Sequence, residues 1–197
     1  MARKTHKDII EGWHPFTQEE IATYVSKGLW YNLTFGDILD RNAESIPDKI
    51  AVLDDTKEVT WRELRQGSDR LALHFKKIGL EYGDFIVLIT PNVVEFFYIL
   101  FGLARIGVIP VMCLPRHRKL EVSHMVKVHE AKGIIVPTGE KFDFVGMVEE
   151  FGSETPSLKH FFTLGGPSVE NWWSLDQCLK EEIEKEEEYE KKEKAEL

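Results

Sequence analysis

Cysteine is scarce in this 197-residue chain: there are two, Cys113 and Cys178, far apart and in no CxxC pair. That argues against a disulfide framework and leaves two reduced thiols, one buried and one near a helix start. Long apolar runs are missing as well. The most apolar stretch, residues 93–115, contains Glu95 and Arg105 and is broken by Gly and Pro. It reads as a buried helix followed by a strand, not a membrane span. The N-terminus, Met1-Ala2-Arg3-Lys4-Thr5-His6-Lys7, is basic, but no apolar segment follows it, so it is not a signal peptide. Positive charge is in deficit, with 25 Lys and Arg against 34 Asp and Glu. The basic residues are scattered among carboxylates, which argues against a nucleic-acid role. Together these features suggest a soluble cytoplasmic protein with enough apolar residues for a real core.

What is present is organised by helix caps and short strands. Thr17-Gln18-Glu19-Glu20 is a capping box, in which the hydroxyl and the carboxylate each satisfy a free N–H at a helix start. Ile21, Tyr24 and Val25 then form one apolar face. Thr34-Phe35-Gly36-Asp37 starts a second helix, with Phe35, Ile38, Leu39 and Ala43 inward. Ile50-Ala51-Val52-Leu53 and Glu58-Val59-Thr60 are strands joined by the turn Asp54-Asp55-Thr56-Lys57. Thr60-Trp61-Arg62-Glu63 caps a long helix with Leu64, Leu71, Ala72, Phe75 and Ile78 inward, ended by Gly79. His74 sits mid-helix beside that face.

Beyond Gly79, buried strands alternate with helices. Phe85-Ile86-Val87-Leu88-Ile89, residues 108–114, Gly133-Ile134-Ile135-Val136 and finally His160-Phe161-Phe162-Thr163-Leu164 are near-continuously apolar. Residues 95–106, 120–129 and 142–151 are the intervening helices. The pattern predicts an α/β fold in three layers, a mostly parallel sheet flanked by helices, with an N-terminal helical lead-in and a small hairpin. The chain divides into a lead-in over residues 1–32, an α/β subdomain over 33–173 and a charged helical tail over 174–197. From Lys180 onward the tail is almost entirely Glu and Lys, with Ile183, Tyr189 and Ala195 its few apolar positions. It reads as a solvated helix held by Glu–Lys pairs.

Catalytic constellations are absent. Gly165-Gly166-Pro167-Ser168 follows a strand, but it lacks the spaced glycines and the Lys of a phosphate loop, and Pro167 removes a donor. His124 and His129 are five residues apart and do not share a helix face, and there is no GxSxG elbow. Leu114-Pro115-Arg116-His117-Arg118-Lys119 stands out, because ligands of open parallel sheets bind outside the carboxyl ends of the strands. Arg116, His117 and Arg118 are therefore candidates to line a substrate or partner site, with surface ion pairs as the alternative for both arginines. Asn92, at the same edge, is a further candidate, or the cap of the next helix.

Three segments carry a resemblance: Leu33-Thr34-Phe35-Gly36-Asp37-Ile38-Leu39, Pro47-Asp48-Lys49-Ile50-Ala51-Val52 and Val59-Thr60-Trp61-Arg62-Glu63-Leu64. They resemble the opening of the adenylate-forming ligases, which include acyl-CoA synthetases and aryl-acid activators. Phe101-Gly102-Leu103-Ala104-Arg105-Ile106-Gly107-Val108-Ile109-Pro110-Val111 is similar to that family's second core motif. Gly12-Trp13-His14-Pro15-Phe16, Gly28-Leu29-Trp30 and Leu114-Pro115-Arg116-His117-Arg118 with Glu121 look like the free-standing aryl-acid branch, of the 2,3-dihydroxybenzoate–AMP ligase type used in siderophore biosynthesis.

The resemblance covers residues 12–164 and implies an ATP- and Mg²⁺-dependent ligase that joins a carboxylic acid, of aryl type, to AMP. The acyl group is then passed to CoA or to a carrier protein. It also implies that the phosphate loop and the later motifs follow Leu197. The expectation is an N-terminal fragment: the incomplete lobe of an adenylating-enzyme fold, inactive alone, binding no cofactor and self-associating through the face meant for the rest. A self-contained α/β module, flavodoxin-like in shape and recruiting a partner through its acidic helix, is the alternative.

Overall fold

The computed structural model describes residue 12 and residues 14–31 and 33–183. In chain order its elements are α1 (Gln18–Ser26), α2 (Phe35–Ser45), β1 (Ile50–Leu53), β2 (Glu58–Thr60), α3 (Trp61–Ile78), β3 (Phe85–Ile89) and α4 (Glu95–Ile106). They continue with β4 (Ile109–Cys113), α5 (Lys119–Val128), β5 (Gly133–Pro137), α6 (Phe144–Gly152), β6 (His160–Leu164), β7 (Trp173–Ser174) and α7 (Leu175–Lys180). Thr17, Thr34 and Thr60 each accept a backbone N–H three residues on, while Glu20, Asp37 and Glu63 reach back to the cap residue. Three helix starts are thus set by four-residue stretches of sequence.

Strands β3 to β7 form one parallel sheet in the order β4-β3-β5-β6-β7, and β1 and β2 form a separate antiparallel hairpin. Successive side chains of a strand point to opposite faces. Ile86 and Leu88 of β3 accordingly join Ile135, Phe162, Leu71, Phe75, Ile99 and Leu103 in one core. Val87 and Ile89 join Ile134, Val136, Val122, Val126, Val148 and Phe151 in the other. Helices α3, α4 and α7 cover the first face and α5 and α6 the second, which is the expected three-layer arrangement.

Helices α3 and α4 meet closely because glycine stands at both surfaces. A Cβ on Gly102 would lie 3.0 Å from the Ser68 carbonyl oxygen, and one on Gly67 would lie 2.6 Å from the Tyr98 ring. Gly107 ends α4 in the left-handed conformation, φ 70°, with Tyr82 packed where a side chain would be.

Four expectations need correction. Strand β4 is not buried: it is the edge of the sheet, with Met112 56% and Leu114 49% exposed. An apolar run marks a strand but not its neighbours, and among the described residues no strand pairs with its outer side. His160–Leu164 is not the last strand, because Trp173–Ser174 adds a short parallel one whose two residues are too few to leave a periodic signal. Phe35 points outward, 60% exposed, edge-on to Phe101, and α1 buries none of Ile21, Tyr24 and Val25. Phe16, Tyr24 and Trp30 stack on one another instead. The helix begun at Ser174 ends at Lys180, and Ile183 is fully buried rather than solvated; residues 184–197 of the expected tail helix lie outside the described residues.

Arg105 joins the three helices of the first layer. Its side chain is 8% exposed; Nη1 and Nη2 donate to the Asp40 carboxylate of α2 at 2.6 and 2.5 Å, and Nε to Asp69 of α3 at 3.0 Å. The hydrogen bonds to Asp40 raise the guanidinium's affinity for its proton further, whereas burial raises the Asp69 carboxyl despite the cation beside it. Arg105→Lys keeps the charge and loses the planar fork. It should lower unfolding stability by about 2 kcal/mol, less than a fully buried pair would because both carboxylates are partly in water. Urea denaturation measures this, and an unchanged midpoint would show that the fork is dispensable.

Candidate functional site

The hairpin turn is built on one carboxylate. Asp54 Oδ1 accepts the Thr56 N–H at 2.7 Å, the Thr56 hydroxyl at 2.7 Å and the Lys57 N–H at 3.0 Å. Its Oδ2 accepts the Val94 N–H, forty residues away, at 3.0 Å. Val94 is the residue that opens α4 and has no side-chain cap from within its own segment. Asp54 therefore supplies that cap from another element, and the Lys57–Glu95 ion pair ties the same two pieces together. The four donated hydrogen bonds hold the Asp54 carboxyl well below the usual carboxylate range. A group so stabilised as the anion is a poor base, so its role is positioning.

Between this hairpin and the carboxyl ends of β3 and β4 lies a cleft of about 440 Å³. Leu53, Leu88, Phe96, Phe97, Met112 and Leu114 give it mainly apolar walls, with Thr90, Asn92 and Asp54 as the polar edge. The strand order β4-β3-β5-β6-β7 reverses direction at β3, which puts the opening beside the switch point where ligands of doubly wound sheets sit. An apolar wall with few polar groups suits a flat or aliphatic group. Cys113 borders the cleft, but burial pushes its thiol up to about 11, so it stays protonated at neutral pH.

Of the four residues singled out from sequence, Asn92 reaches the cleft and Arg116, His117 and Arg118 do not. Asn92 does not cap α4, since Asp54 has that place. The 114–118 loop folds onto itself. His117 Nδ1 accepts the Leu114 N–H at 3.3 Å, and Arg118 Nη1 donates to the carbonyls of Pro115 and His117, both at 2.8 Å. The Arg118 guanidinium also stacks 4.0 Å from the centre of the Phe142 ring. Arg118 is thus held by carbonyls and an aromatic ring in place of the carboxylate of a surface ion pair, and it links the loops after β4 and β5. Arg116 is exposed.

Sequence reasoning missed Asp54 as more than a turn residue, and it missed Phe96 and Met112 as walls. The doubled Asp of the turn was the one available signal; its bond to Val94 exists only in three dimensions. Mg²⁺ and a triphosphate do not fit the described residues. No three of His, Cys, Asp and Glu converge among them. At the Gly165-Gly166 turn the Gly165 N–H donates to Asp176 at 2.7 Å, a carboxylate that would repel phosphate, and the Thr138 hydroxyl binds the Gly165 carbonyl. Among the described residues no helix is long and apolar enough to cross a membrane.

Comparison with known proteins gives a consistent result. Residues 39–196 match the family model described as AMP-binding enzyme. The chain is 35% identical over 158 residues to a 2,3-dihydroxybenzoate-AMP ligase of Bacillus subtilis (strain 168), covering 80% of this chain and 29% of that protein. It is 34% identical over 171 residues to the salicyl-AMP ligase / salicyl-S-ArCP synthetase of Mycobacterium tuberculosis, covering 84% of this chain and 30% of that one. The apo structure of Mycobacterium smegmatis MbtA superposes with a TM-score of 0.76 at 30% identity, over 86% of this chain and 31% of its own. The chain thus spans about three-tenths of the length of these relatives.

Because the Asp54 carboxyl is depressed in the folded state, its stabilising effect is present above the unfolded value of about 4 and is lost as pH falls through the folded value. Asp54→Ala should therefore lower the thermal midpoint at pH 7, and the gap from the parent protein should narrow steadily below about pH 4. A gap that stays constant down to the acid limit would show that the carboxylate contributes nothing as an anion.

Proposed function

Since this chain belongs to the AMP-binding enzyme family, we propose that it is the N-terminal part of an ATP-dependent acid–AMP ligase acting on an aryl carboxylic acid. The observation that carries the reading is its identity of 35% and 34%, over at least four-fifths of the chain, to two ligases whose names specify aryl acids. In the proposed reaction a carboxylate oxygen attacks the α-phosphorus of ATP, and the bond to the bridging oxygen breaks to release pyrophosphate. A thiol of CoA or of a carrier protein then attacks the acyl carbon. A thioester forms, AMP departs and the thiol proton is lost.

Both steps need positive charge or N–H donors around the phosphate. In this reading the described part acts as scaffold: its sheet ends and hairpin form a mainly apolar wall of the larger site. We assign the isolated chain no ligase activity. The direct test is acid-dependent exchange of labelled pyrophosphate into ATP, run in parallel on the product of the complete reading frame and on the 197-residue chain. Exchange with dihydroxybenzoate or salicylate by the former and none by the latter is expected. Exchange driven only by aliphatic acids would remove the aryl assignment, and exchange by the short chain would remove its scaffold role.

The same reading makes the exposed side chains around the cleft, Leu53, Met112 and Leu114, a surface that the larger protein covers. The isolated chain should self-associate through it. Met112→Glu should shift its sedimentation towards monomer, while a parent chain that is already strictly monomeric at high concentration would contradict this.

A further inference from the structure

Strand β4 ends the sheet, and its outer side carries a short, specific set of hydrogen-bonding groups. The Ile109 N–H donates to the Asp84 carbonyl at 2.8 Å, so Ile109 faces β3. The main-chain groups of a strand alternate sides. Val111 and Cys113 therefore face β3 as well, and Pro110, Met112 and Leu114 turn theirs outward. Proline has no N–H to offer. The Leu114 N–H donates to His117 Nδ1 at 3.3 Å, and the Leu114 carbonyl accepts the His117 N–H at 2.9 Å. Of the three, Met112 alone keeps both a donor and an acceptor on this side, and no strand of the described residues meets them. Sheet edges are commonly blunted by charged side chains. Residues 106–115 contain none, and the Met112 and Leu114 side chains are exposed.

We propose that two copies of this chain join edge to edge through β4, antiparallel about a two-fold axis that passes between Met112 of one copy and Met112 of the other. In that register each Met112 N–H donates to the other's carbonyl, so the free donor and acceptor of both copies are used. Pro110 falls opposite Leu114, whose carbonyl is already satisfied by His117, so the missing proline N–H leaves no acceptor unpaired there. Moving the axis by one residue would set the Met112 carbonyl against the Pro110 ring, without a donor. Parallel pairing is excluded for a closed pair. It needs the outward residues of one strand level with inward residues of the other, and two copies in register present their outward residues level. The axis stands perpendicular to the sheet. Both Met112 side chains then lie on the face that holds Leu88, and the two clefts open side by side. The pairing rests on the edge alone and stands whether or not the ligase reading holds.

The test is amide hydrogen exchange, read residue by residue, on the 197-residue chain. The Val111 and Cys113 N–H groups, bonded to β3, should be protected at any protein concentration. The Met112 N–H should exchange freely at about 0.01 mM protein and at least about tenfold more slowly at about 1 mM, in step with a rise in sedimentation coefficient. Diamide treatment of Met112→Cys should give a cross-linked dimer, because residues paired at a hydrogen-bonded antiparallel position have Cα atoms about 5.5 Å apart, within disulfide reach. Glu149→Cys, exposed on α6, should give none. A strictly monomeric chain at high concentration, self-association with the Met112 amide still unprotected, or cross-linking no greater for Met112→Cys than for Glu149→Cys would each overturn the proposal. The second of these outcomes would point to association through the cleft walls instead, and none of the three bears on the ligase reading.

Discussion

Three helices of this fold meet at the guanidinium of Arg105. Removing such a group from water is costly, and the cost is offset only when several acceptors surround it in good geometry. Asp40 and Asp69 supply those acceptors, and Gly36 leaves the space: a Cβ there would stand 3.3 Å from Nη1. The arrangement sets α2 against α3 and α4, and those helices carry the apolar side chains that cover one face of the sheet. An apolar contact in the same place would tolerate sliding. A forked set of charge-assisted hydrogen bonds does not, and the register of the first layer follows from it.

The cleft follows from that register. Once α4 is fixed, its first turn presents the Val94 N–H towards the hairpin, and Asp54 meets it. The hairpin then stands over the ends of β3 and β4 as a wall and not as a loose loop. Leu53, Phe96 and Met112, far apart in the chain, come to face one space. The scaffold role proposed for this part of a ligase rests on that placement. An apolar wall at the carboxyl ends of parallel strands is where an open α/β sheet can contribute to a site, even when the charged groups of the reaction come from elsewhere.

Local signals in the chain were strong. The Thr-x-x-acid boxes at Thr17, Thr34 and Thr60 and the terminating Gly79 and Gly107 marked helix ends with little ambiguity, because capping is settled by residues within one turn. The apolar runs marked β3, β5 and β6 for a similar reason. The candidate site was less legible. Asn92 was recognised at the strand edge and does border the cleft. The basic loop drew attention by charge, yet Arg118 turns back to the carbonyls of Pro115 and His117 and to Phe142. Side-chain direction in a loop depends on neighbours from other segments, and Phe142 lies one strand further along.

The sequence by itself determined most of the helices and the strands β1 to β6, that the strands of the main sheet are parallel, and, through short motifs in order, the family. Those properties arise from periodicities and caps that act within a few residues. Tertiary structure alone decided that β4 is an exposed edge, that Ile183 is buried, that Asp54 caps a helix forty residues away, and which side chains share the cleft. Each of these depends on which elements become neighbours, and that is set by long-range packing around the sheet and by the carboxylates that converge on Arg105.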